Sequence, residues 1–123
     1  MDPKQPLRYS WRLNREALAW AAGFADGEGS FHLTQGGTNH KTKDRPRFEI
    51  GQSDTRALAR FQKALPFGAC INGPYQKRYL NSLPCWRYHV SGFEDVQALL
   101  ALLWTWLGPV KREQAKSVLK EFV

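Results

Sequence analysis

Asp26 and Glu28 stand either side of one glycine in Ala22-Gly23-Phe24-Ala25-Asp26-Gly27-Glu28-Gly29-Ser30-Phe31, where a run of small residues gives way to alternating polar and apolar ones. Carboxylate oxygens suit hard divalent cations, and a helix ending here adds carbonyls that have no intrahelical donor. Glu28 with a neighbouring backbone oxygen can therefore form part of a magnesium site placed to meet a phosphate. One acidic side chain is too few for a tight site. A calcium-binding EF-hand is excluded, because the sixth position counted from Asp26, which requires glycine, is Phe31. The plainer alternative makes Asp26 and Glu28 ordinary helix-end residues, and for an isolated Asp-Gly-Glu-Gly that alternative leads.

The preceding segment changes the balance. Asn14 can cap a helix running from Arg15 to about Asp26. On that helix Ala19, Ala22, Gly23 and Asp26 fall at i, i+3, i+4 and i+7, a narrow stripe of small residues, while Leu18, Ala21, Phe24 and Ala25 can face the core. Small side chains let backbones approach, so a second copy of the helix can pack on the stripe. Two copies would bring two Glu28 carboxylates together and supply the missing ligands.

With 123 residues, 42% of them hydrophobic, the chain is expected to form one domain. The net charge of +7 points to a polyanion, since lysines and arginines that neutralise phosphates release condensed counterions. The longest apolar run, Ala98 to Trp104 and on to Leu107 through Thr105, is short of the ~20 residues of a spanning helix. The polar opening Met1-Asp2-Pro3-Lys4-Gln5-Pro6 lacks an apolar signal segment. No membrane partner and an intracellular location are therefore expected. Cys70 and Cys85 are read as reduced thiols rather than a disulfide or zinc site.

The order of elements reads helix, hairpin, helix, hairpin, then helices. Ser30 to Thr34 alternates as a half-buried strand with Phe31 and Leu33 inside. Residues 35–39 read as a turn, and Arg47-Phe48-Glu49-Ile50 as the returning strand. Asp54 can cap a second helix to about Leu65, ended by Pro66 and Gly68. A weaker hairpin follows, with its loop around Pro74 to Pro84 and its second strand over Trp86 to Val90; the pattern leaves open whether Cys70 or Ile71 points inward. Phe93 to Leu107 reads as an apolar helix, broken by Gly108-Pro109 before a last one near Val110. The fold class is α+β, an antiparallel sheet with helices on one face and an open polar face.

That open face would carry Ser30, His32, Thr34, Arg45, Arg47, Glu49, Arg87 and His89, with Lys41 and Lys43 at a hairpin tip and Tyr75, Lys77 and Arg78 near the second loop. A two-stranded ribbon fits a major groove, arginine suits guanine, and a carboxylate accepts from cytosine. Alternation alone would also produce a solvated sheet face, but the net charge and the loop lysines favour nucleic acid.

Ala21 to Gly29, followed by Ser30-Phe31, resembles the signature helix and strand entry of the LAGLIDADG homing endonucleases, and the order of elements is similar over nearly the whole chain. Ala21 and Ala25 are smaller than usual for the signature. A single motif resembles the homodimeric branch. The resemblance implies an αββαββα core, Glu28 as an acidic metal ligand and the Gly27 carbonyl beside it. It further implies Gln52 as a solvent-ordering residue, Lys111 near the scissile phosphate and Arg56 as a second basic residue there. The implied activity is magnesium-dependent cleavage of both strands of a long, roughly palindromic duplex. Two rivals are a binding module on the same fold, as an intron maturase holding RNA or a non-cleaving DNA-binding regulator, and an unrelated basic adaptor.

Overall fold

The computed structural model describes residues 13–34, 44–66, 69, 71–76 and 83–120. Helix α1 spans Arg15–Glu28, and Asn14 caps it by accepting the Ala17 N–H on Oδ1 at 3.1 Å. The helix runs two residues further than its spacing predicts, because the Gly29 N–H still reaches the Ala25 carbonyl as strand β1, Gly29–Thr34, begins. Glu28 is thus the last helical residue rather than a loop residue. Strand β2 is Arg45–Gln52, and helix α2, Thr55–Ala64, is capped by Asp54. Strand β3, Ile71–Tyr75, and strand β4, Cys85–Ser91, form the second hairpin.

Helix α3 ends at Leu103, after starting at Phe93, and Trp104–Trp106 tightens into a 3-10 turn where the sequence reads as continuous helix. Helix α4, Pro109–Leu119, starts with proline at a position whose missing N–H costs nothing. Gly92, at φ 101°, turns the chain between β4 and α3 in a conformation that favours glycine.

The four strands lie in the order β1-β2-β4-β3, all antiparallel. Alternation sends Phe31, Phe48, Ile50, Tyr88 and Val90 to one face, where they are buried against Leu18, Ala21, Ala22 and Ala25 of α1, Leu58 and Phe61 of α2, and Leu99 and Leu103 of α3. A run of rings links these layers, with centroids 4.8 Å apart for Phe31 and Phe48, 5.9 Å for Phe48 and Phe61, and 5.0 Å for Phe61 and Tyr88. Burial, and then the nearby Asp95 carboxylate, pushes the Tyr88 phenol above its usual range, and its hydroxyl has no hydrogen-bond partner among the described residues. Ile71 pairs with Tyr88 and packs on the core, which resolves the inward residue of the second hairpin. No described helix is long and apolar enough to cross a membrane.

Candidate nuclease site and nucleic-acid interface

Register places the chemistry. Gly29, the residue after Glu28, pairs with Ile50, so β2 runs two residues past the start of β1 and ends in Gln52 at the same end of the sheet. The Glu28 side chain is exposed and makes no ion pair or hydrogen bond among the described residues. Gly27 is exposed too, and a Cβ built on it meets nothing within 4 Å. Its carbonyl falls in the last turn of α1, where intrahelical donors run out.

Two hydrogen bonds bring α4 to this corner. The Gly108 N–H donates to Asp26 Oδ1 at 3.0 Å, and the Phe31 N–H donates to Gln114 Oε1 at 2.9 Å. The first fixes the start of α4 at the end of α1; the second covers the free edge of β1. Lys111, half-buried in the first turn of α4, lies between these two anchors in sequence. Nothing in the sequence flags Gln114, because its partner lies 83 residues away.

Arg56 is exposed on the first turn of α2, locked to Asp54 by three guanidinium hydrogen bonds, the shortest 2.8 Å. The side-chain hydrogen bond to Arg56, followed by the backbone one, holds the Asp54 carboxyl well below its ordinary value, at about 2. An open groove of about 600 Å3 lies beside this pair, lined by residues 53–56 with Leu83, Pro84 and Trp86. Trp86 pairs with Gln52 in the sheet, so the groove borders the end of β2.

Among the described residues no three histidine, cysteine, aspartate or glutamate side chains come together as a metal cluster. The exposed Glu28 carboxylate and the Gly27 carbonyl are hard oxygen donors of the kind that magnesium or calcium takes.

The stripe on α1 needs one correction. Ala22 was expected to face a second copy, but it is fully buried with Ala21 and Ala25 in the chain's own core. The helix rolls far enough toward the sheet to bring it in, and Phe24 is left half-buried, stacked on Trp20 at 5.1 Å. Ala19, Gly23 and Asp26 stay at least partly exposed, Gly23 with nothing within 4 Å of a built Cβ, and the open small-residue line continues to Gly27. Asp26 already spends a carboxylate oxygen on Gly108. Val110, two residues beyond Gly108, is 76% exposed, an apolar neighbour that helical spacing alone does not single out.

The open face of the sheet assembles as alternation predicts. Ser30, Glu49 and His89 form one rank across three strands, and His32, Arg47 and Ser91 form the next. Arg87 lies between Gly51 and Asn72, and Thr34 opposite Arg45. Asn72 and Ser91 are additions that the weak second hairpin hid. Glu49 Oε2 lies 3.1 Å from Arg47 Nε and Glu49 Oε1 lies 3.6 Å from Arg87, whose guanidinium sits 4.9 Å from the centre of the Tyr75 ring. The Thr34 hydroxyl is engaged with the Arg45 backbone at 3.3 Å. Partial burial, then the Arg47 charge, lowers the His89 pKa, with Glu49 opposing. Cys85 is a free thiol. Lys41, Lys43, Cys70, Lys77 and Arg78 lie outside the described residues.

A helix delivering Glu28 into the first strand of a β1-β2-β4-β3 sheet, with a basic open face behind it, is the LAGLIDADG homing endonuclease fold. Solved structures support that assignment. The homing endonuclease I-CvuI, solved in complex with its target in the presence of calcium, matches with a TM-score of 0.67 at 26% identity over 86% of this chain and 65% of that one. The intron-encoded homing endonuclease I-CeuI, complexed with DNA, gives a TM-score of 0.66 at 15% identity over 89% and 56%. The LAGLIDADG homing endonuclease I-GzeII, in complex with its DNA target, gives 0.56 at 22% over 72% and 28%. This chain therefore spans about two thirds or less of the length of these structural relatives. No protein-family model and no curated protein matches it.

Proposed function

We propose that the protein is a homodimeric, site-specific DNA endonuclease that hydrolyses one phosphodiester on each strand of a long, roughly palindromic duplex. The observation that carries this reading is the exposed Glu28 at the α1–β1 junction, without an ion pair among the described residues and beside an exposed line of small residues. A second copy packed on Ala19, Gly23 and Gly27 supplies the partner carboxylate, and two-fold symmetry in the protein then calls for symmetry in the target.

Bound divalent cations supply Lewis acidity, activating water and stabilising the leaving oxygen. The chain's own residues do the rest. Glu28 and the Gly27 carbonyl would hold the ions. Gln52, whose amide both donates and accepts, orients the attacking water. Lys111 offsets charge on the pentavalent phosphate as the P–O bond to water forms and the bond to the leaving oxygen breaks. Arg56 adds positive charge to the same groove, tempered by Asp54. The open face reads base edges, with Arg47, Arg87, His32 and His89 as its principal donors.

The test is selection for cleavage from a randomised duplex library with magnesium, wild type beside Glu28→Gln. Sequence-specific double-strand cuts by the wild type alone are expected. Binding of the same duplex by both proteins with cuts by neither would instead favour a binding module on this fold, and binding of RNA alone a maturase.

A further inference from the structure

We propose that Glu49 is a positioning residue that holds two arginines in reading geometry and keeps them off the phosphate backbone. The proposal rests on the DNA-binding reading above and assigns this acidic side chain a task within it. A carboxylate near the middle of a surface meant for a polyanion is electrostatically out of place, so its contacts decide what it is for.

Glu49 lies on β2, flanked by Ser30 on one side and His89 on the other. Its two oxygens are divided between two guanidiniums from different strands, 3.1 Å from Arg47 Nε and 3.6 Å from Arg87. Its side chain is only 21% exposed, against 27% for Arg47 and 45% for Arg87. Arg47 Nε is shut off from solvent and lacks an aligned hydrogen-bond acceptor, so charge pairing rather than a directed bond keeps it in place. The Arg87 guanidinium is bounded by Glu49 on one side and the Tyr75 ring on another.

Three consequences follow. Pairing reduces the electrostatic pull of this cluster on any phosphate, a pull that carries no sequence information. Fixing the planar forks lowers the entropy lost when they meet base edges. A neutral residue at position 49 would release both arginines to phosphates, and binding would gain strength on every sequence while losing selectivity.

The experiment compares wild type, Glu49→Gln and Glu49→Asp in magnesium-free binding, using a mixed-sequence duplex across a salt series and a randomised duplex pool. Glu49→Gln is expected to bind the mixed duplex more tightly, with a salt slope steeper by about 1. Its recovered site should lose definition at several base pairs, and Glu49→Asp should keep the wild-type slope. The proposal is overturned if Glu49→Gln leaves slope and site unchanged while the wild type selects a sequence. It is also overturned if definition is lost at a single C·G pair with no change in slope, which would make Glu49 a direct base reader. A wild type that binds no duplex removes the DNA-binding reading itself.

Discussion

The Gly108 N–H donates to Asp26 Oδ1 at 3.0 Å across 82 residues of sequence, tying the start of α4 to the end of α1. Gly108 has no side chain to cap α4, so Asp26 supplies both the acceptor and a negative charge favoured at a helix N-terminus. The bond joins the helix that carries Glu28 to the helix that carries Lys111, the two residues to which the proposed function assigns metal binding and phosphate charge. Asp26→Ala should lower stability by about 1 kcal/mol and depress cleavage more than DNA binding. A melting shift that vanishes at high protein concentration would place Asp26 in the contact between copies instead.

Tyr88 is fully buried, and its hydroxyl has no partner among the described residues. A buried, unsatisfied donor costs on the order of 1–3 kcal/mol, whereas removing it leaves only a small void. Tyr88→Phe should therefore be neutral or raise stability in denaturant unfolding. A clear loss of stability would show that the hydroxyl is engaged.

Gly29 joins α1 to β1 with no room to spare. A Cβ there would stand 2.5 Å from Phe48 Cε2 and 2.7 Å from the Ala25 carbonyl oxygen. Neither the helix carbonyl nor a ring packed among Phe31 and Phe61 can yield cheaply. Gly29→Ala should cost about 1–3 kcal/mol and move Glu28 with the strand entry, so cleavage should fall too. Urea unfolding with wild-type stability would refute the close contact.

His89 titrates below its ordinary value of 6.5 because it is partly buried and feels the Arg47 charge. The folded state then binds fewer protons than the unfolded chain between the lowered midpoint and 6.5, so stability rises with pH through that window and is lost as pH falls through it. Phosphates nearby favour the imidazolium. NMR titration should show the His89 midpoint below 6.5 in the free protein, higher on bound DNA and higher in Arg47→Ala. A midpoint unmoved by DNA would take His89 off the interface.

Most of the fold was legible because its signals are local. Alternation in Phe31, Phe48 and Ile50 fixed two strands and the polarity of the face, and the caps at Asn14 and Asp54 fixed two helix starts. The end of α1 was legible through Glu28 and its glycines, which the structure places at the helix–strand junction. What sequence could not show depends on distant partners. Ala22 is equally small in the core or on a free face, and only the roll of α1 against the sheet decides. Gln114 and Gly108 matter through residues more than 80 positions away. Trp104–Trp106 leaves the helical path where Arg112 donates to the Trp104 carbonyl at 2.7 Å, a contact no periodicity reveals. The β3 strand was obscured by Gly73 and Pro74, which break alternation beside an irregular pairing with β4.

Under the proposed function, two copies each lend Glu28 to one cleavage centre. Wild type and Glu28→Gln would be mixed in varied proportion at constant total protein, allowed to exchange subunits, and assayed for both nicking and double-strand cleavage of the selected duplex with magnesium. If both carboxylates are required, mixed dimers should not nick, and total strand scission should fall as the square of the wild-type fraction. Nicking by mixed dimers, with total strand scission falling in simple proportion to that fraction, would mean that each chain cuts with its own Glu28, and the shared site would be wrong.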